Sequence, residues 1–129
     1  MGAAVLVDGA IQQGSRLLKA LDEAGIVVRS AMWLYDPDAD RWRLVLAMPL
    51  VDERGPAAAF AHIQSALNQI APSDLRLQEV SVVSPKDQTI RAVRGMINTG
   101  PGTAVSQVRL VQNAVGGVLI EDALVYRST

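Results

Sequence analysis

Residues Ile26 to Leu50 constrain the fold more than any other part of the chain. Apolar and polar side chains alternate there with a period of two on either side of the run Asp36-Pro37-Asp38-Ala39-Asp40. Alternation of this kind describes a strand, and a proline among short carboxylates describes a turn, because proline fixes one backbone angle and aspartate satisfies local N–H groups. The stretch therefore predicts a β-hairpin, with strands Ile26–Tyr35 and Arg41–Leu50. Setting Tyr35 opposite Arg41 pairs Leu34 with Trp42, Met32 with Leu44, Ser30 with Leu46 and Val28 with Met48. That register makes one continuous, mostly apolar face.

The other face of the same hairpin carries Arg29, Ala31, Trp33 and Tyr35 beside Arg43, Val45 and Ala47. In this register Trp33 stands opposite Arg43, close enough for a cation–π contact.

Around the hairpin, Val5–Val7 reads as a short strand and Asp8 as the N-cap of a helix whose apolar residues Ile11, Leu17, Leu18 and Leu21 recur at helical spacing. Gly25 is a natural left-handed C-cap for it. Pro49 ends the second strand of the hairpin. Gly55-Pro56 opens a second helix with the stripe Ala59, Phe60, Ile63, Ala66, Leu67 and Ile70, which Pro72 stops after Ala71. Leu75–Val83 reads as a strand with imperfect alternation. Ser84-Pro85-Lys86-Asp87 reads as the cap and first turn of a third helix ending near Ile97. Val105–Asn113 and Val118–Arg127 then form a second hairpin, turning at Gly116-Gly117.

The order β-α-β-β-α-β, followed by α-β-β, predicts an α+β domain: a ferredoxin-like antiparallel sheet with a C-terminal αββ extension. At 129 residues, half of them apolar, the chain 1–129 is expected to form a single domain around one core. Such a scaffold hosts many functions and names none.

Composition excludes several chemistries. The absence of cysteine rules out disulfides, thiolate metal sites and a cysteine nucleophile. A net charge of -1 predicts no generalised attraction to nucleic acid or to an anionic membrane. The N-terminal apolar run is too short for a signal peptide or a membrane span, which gives the expectation of a cytoplasmic protein with no membrane partner. Ten arginines against two lysines, with abundant alanine, suggest a bacterial source.

No motif announces catalysis, a metal or a cofactor. Asp36, Asp38 and Asp40 invite a cation, but Arg41 and Ala47 stand where a calcium loop needs glycine and glutamate, so a solvated turn is the simpler reading. His62 is the only histidine, too few for a multi-histidine zinc site, and reads as a residue on the side of its helix. Glu121 and Asp122 point to opposite strand faces, and Asp122 lies diagonally across from Arg109, which predicts a cross-strand ion pair. Gly100-Pro101-Gly102-Thr103 has glycines that could form an anion nest, but proline replaces the lysine of a phosphate loop; a plain connector is expected.

The remaining candidate site is the aromatic and basic sheet face. Arg29, Trp33, Tyr35 and Arg43 form it, joined by Arg109, Tyr126 and Arg127 if the last hairpin enters the same sheet. Either the C-terminal helix and hairpin cover this face, or it binds a partner. Trp, Tyr and Arg favour a protein partner or a second copy of the chain, and hence a homodimeric interaction module without cofactor. Nucleic acid, held by arginine–phosphate contacts and stacked bases, is the alternative. An enzyme without a sequence signature is the third reading.

Overall fold

Helix α1 (Asp8–Glu23) buries Leu17, Leu18 and Leu21 along one face and ends where expected. Gly25 takes φ 76°, and the N–H of Ile26 returns to the carbonyl of Leu21 at 3.0 Å, closing the last turn. The computed structural model describes residues 4–129, and over that range the chain is α+β, with a five-stranded sheet and four α-helices.

Strands β1 (Ser30–Asp36) and β2 (Arg41–Ala47) form the expected hairpin. Pro49 does more than end β2: it opens a short helix, α2 (Pro49–Arg54), which Gly55 at φ 86° separates from α3 (Pro56–Gln69). Helix α3 buries Ala59, Ile63, Ala66 and Leu67 of the expected stripe. A 3-10 turn takes up Leu77–Glu79, so only Val80–Val83 becomes strand β3, and it runs parallel to β2. The imperfect alternation before Val80 marks that turn. Helix α4 (Gln88–Met96) starts later than expected. Asp87, rather than Ser84, is its cap, accepting the N–H groups of Thr89 at 2.9 Å and Ile90 at 3.2 Å. Strands β4 (Val108–Val115) and β5 (Val118–Ser128) form the last hairpin, turning on Gly116 and Gly117 at φ 59° and 78°.

The strand order is β3-β2-β1-β5-β4, with every pair antiparallel except β2 and β3. This is not the ferredoxin-like order. Val5–Val7 forms no strand; it runs extended outside the sheet, with Val5 and Val7 exposed, and Val7 rather than Asp8 precedes the helix as N-cap. The sheet has no central place for it, because the eleven-residue β5 pairs with β1 on the side away from β2.

The first hairpin is also one residue out of the expected register. Asp36 pairs with Arg41, Tyr35 with Trp42 and Trp33 with Leu44. The cause is the turn. The Asp36 carboxylate accepts the N–H groups of Asp38 and Ala39 at 3.1 and 3.4 Å while its backbone still belongs to the ladder, and Asp40 closes the loop at φ 48°. A slip of one exchanges the faces presented by one strand relative to the other. Ala31 and Trp33 therefore share a face with Leu44 and Leu46, packed against Leu17, Leu21, Ile63 and Leu67 of α1 and α3. Met32 shares the opposite face with Val45 and Ala47, packed against Ile90 and Val93 of α4. Helices thus lie on both sides of the sheet, and the C-terminal helix supplies the second core layer.

Candidate functional site

The seven candidate side chains do not form one surface. Trp33 is 1% exposed and Tyr126 fully buried, both in the layer under α1, where the indole N–H donates to the Tyr126 hydroxyl at 2.9 Å. Arg43 lies on the other side of the sheet, opposite Leu34, and its Nε donates to the Ser81 hydroxyl at 2.7 Å. The expected Trp33–Arg43 contact is therefore absent, a direct consequence of the register.

A different aromatic and basic pair takes its place. The Arg109 guanidinium lies 5.3 Å from the ring centroid of Trp42 and pairs with both carboxylate oxygens of Asp122, Nη2 to Oδ2 at 2.7 Å. The diagonal Arg109–Asp122 ion pair is the one the strand spacing predicts; it holds Arg109 in its charged form, pushing its pKa further up. Tyr35 packs against Trp42 with centroids 5.5 Å apart and donates its hydroxyl to Asp40 Oδ1 at 2.6 Å. That bond to a carboxylate, aided by burial, pushes the Tyr35 pKa up to about 12. The same bond, with one from the Ala4 N–H, holds the Asp40 carboxyl below its ordinary value. Two of the three turn aspartates are thus occupied in the loop and its neighbours: Asp36 and Asp40 accept hydrogen bonds there, whereas Asp38 is exposed.

Arg127 is the most completely held polar side chain. It is 1% exposed, and all five of its N–H donors are used. Nη1 reaches Asp22 Oδ1 at 3.0 Å and the Val28 carbonyl at 3.2 Å. Nη2 reaches Asp22 Oδ2 at 2.8 Å and the Thr103 carbonyl at 2.8 Å, and Nε reaches the Ala104 carbonyl at 3.3 Å. A β-bulge makes this possible. The β1–β5 register shifts between Ala31 and Met32, so Arg127 stands opposite Ala31 and turns to the same side as Tyr126, toward α1. One guanidinium ties the end of α1, the approach to β1 and the loop before β4 together.

Next to that tie, a cleft of about 640 Å³ opens between the turn Gly25–Arg29 and the loop Asn98–Thr103. Arg29, exposed, lines it; its guanidinium makes no hydrogen bond or ion pair among the described residues. Gly100 and Gly102 take φ 82° and 95°, and the Asn98 side chain accepts the Gly100 N–H at 2.8 Å. Sequence reasoning singled out both Arg29 and the glycine loop; what it lacked was the fold that brings them to one cleft.

His62 is exposed on α3. Among the described residues, no three His, Asp or Glu side chains gather as a metal site, and no helix is long and apolar enough to cross a membrane. Compared with known proteins, the chain matches no family model, no curated protein and no solved structure.

Proposed function

We propose that the chain is a non-catalytic assembly module that pairs with a second copy of itself through the free edge of β4. The observation carrying this reading is the composition of that edge. Among the described residues, strand β4 has β5 on one side and no strand on the other. Val105, Val111 and Leu119, on this hairpin and the segment leading into it, stand 43%, 56% and 67% exposed. Open backbone donors and acceptors flanked by apolar side chains form a template for a further strand.

The left-handed residue Gln112, at φ 50°, interrupts the edge, so the regular stretch available for pairing is Val108–Val111. A two-fold axis at Leu110 sets Leu110 against its own copy and Arg109 beside Val111 of the other. An axis at Arg109 would set two guanidinium groups face to face, which is unfavourable. The proposed dimer continues the sheet across the axis and keeps the Arg109–Asp122 pair intact.

Solution mass by light scattering tests this over a range of concentrations. The wild-type chain is expected to form a dimer and Val111→Lys a monomer, because an edge lysine opposes strand addition. A monomeric wild type, or a dimer unaffected by Val111→Lys, rejects the reading. The nucleic-acid alternative would have to do without Trp33 and Tyr126 as stacking surfaces, since both are interior.

A further inference from the structure

We infer that the cleft between Gly25–Arg29 and Asn98–Thr103 is a binding site for a small organic monocarboxylate with an apolar body. At about 640 Å³ it falls within the range of small-molecule sites. Its charge is simple. Three charged side chains line it, Asp22, Arg29 and Arg127, with the neutral side chain of Thr129 beside them, and among the described residues the mutual Asp22–Arg127 pair leaves Arg29 as the one lining cationic side chain without an ion-pair partner.

One free guanidinium matches one carboxylate, which arginine grips through parallel N–H donors. A phosphate dianion would call for more positive charge than the lining holds. Backbone donors stand nearby: the N–H groups of Gly102 and Thr103 make no hydrogen bond among the described residues. Ile26, Val27 and Pro101 supply apolar wall, and Val27 is 58% exposed although large and aliphatic.

The walls are also fixed in place. Arg127 holds the carbonyls of Val28 on one side and of Thr103 on the other, so the cleft does not have to be assembled when a ligand arrives. Thr99 adds a second fastening, its N–H donating to the Ser128 carbonyl at 2.9 Å.

The test is an amide chemical-shift titration of the full chain at constant ionic strength with hexanoate, with neutral hexanamide and with inorganic phosphate. Hexanoate is expected to give saturable shifts at Val27, Arg29, Gly100, Gly102 and Thr103. Arg29→Gln is expected to weaken it about ten-fold, the effect of one charge-assisted hydrogen bond, with the rest of the spectrum unchanged. Hexanamide is expected not to saturate at the same concentrations, and phosphate to bind more weakly than hexanoate. The absence of saturable hexanoate shifts, equal binding of hexanamide, indifference to Arg29→Gln, or tighter binding of phosphate would each overturn the assignment.

Discussion

Trp33 donates its indole N–H to the hydroxyl of Tyr126, and that hydroxyl donates in turn to the carbonyl of Ile11. The two side chains come from neighbouring strands and the carbonyl from the helix above them, so one short chain of hydrogen bonds joins β1, β5 and α1 inside an apolar layer. Buried polar tips of this kind cost stability unless satisfied. The close approach that satisfies them depends on Gly14.

A methyl group at Gly14 would stand 2.5 Å from the Tyr126 hydroxyl and 2.9 Å from the Trp33 Nε1. Alanine in place of glycine inside a helix ordinarily stabilises by about 1 kcal/mol. Here overpacking, at roughly 1–3 kcal/mol, outweighs that gain. Gly14→Ala is expected to lower unfolding free energy by up to ~2 kcal/mol in urea titrations. Gly95→Ala in α4 is the control: a Cβ there meets nothing within 4 Å, and about 0.5–1 kcal/mol of added stability is expected. Equal effects at the two positions would refute the close approach.

Removing one partner of the Asp22–Arg127 pair leaves the other charge poorly solvated. Arg127→Met and Asp22→Leu are each expected to cost about 3–5 kcal/mol, and the double variant less than their sum. A double-mutant cycle by denaturant unfolding measures the coupling. Strict additivity would mean that the two side chains do not act on each other.

Both tyrosines of the chain have their pKa pushed up to about 12, Tyr35 by its bond to Asp40 and Tyr126 by burial. Each group binds its proton more tightly in the folded state, where the unfolded value is 10.0. Their contribution to stability is therefore complete below pH 10 and is lost as pH rises toward 12. Asp40 works in the other direction: its lowered pKa contributes above the ordinary value of 3.8 and is lost as pH falls. Near-ultraviolet titration is expected to show no phenolate at pH 10 in the native protein. A tyrosine titrating near 10 would contradict the arrangement.

Much of the local structure was legible from residues alone. The apolar stripes of α1 and α3, the glycine closing α1, the Gly116-Gly117 turn and the diagonal Arg109–Asp122 pair all follow from short-range rules, and all are present. The long-range pairings were not legible. Nothing local decides whether Asp36 belongs to the ladder or to the loop, yet that single residue sets which strand faces meet. Both faces of the first hairpin are apolar enough to be buried, so the pattern could not say which would carry helices. Trp33 is interior for that reason. Trp42 and Arg109 meet across the sheet only because β5 lies between β1 and β4, an order that no short-range signal encodes. The bulge that turns Arg127 to the side of Tyr126 breaks the alternation on which strand reading rests.

Ser30 and Ser128 face each other across the β1–β5 ladder, both fully buried, and neither hydroxyl has a hydrogen-bond partner among the described residues. A buried hydroxyl without a partner retains its desolvation cost, whereas alanine at the same position loses only a small polar group and leaves little void. Most substitutions of fully buried residues destabilise, but these are expected to be neutral or stabilising by up to ~1 kcal/mol, singly and together. Paired loss on Ser30→Ala and Ser128→Ala, measured by thermal unfolding, would show instead that the two hydroxyls are satisfied in solution, by each other or by a shared water.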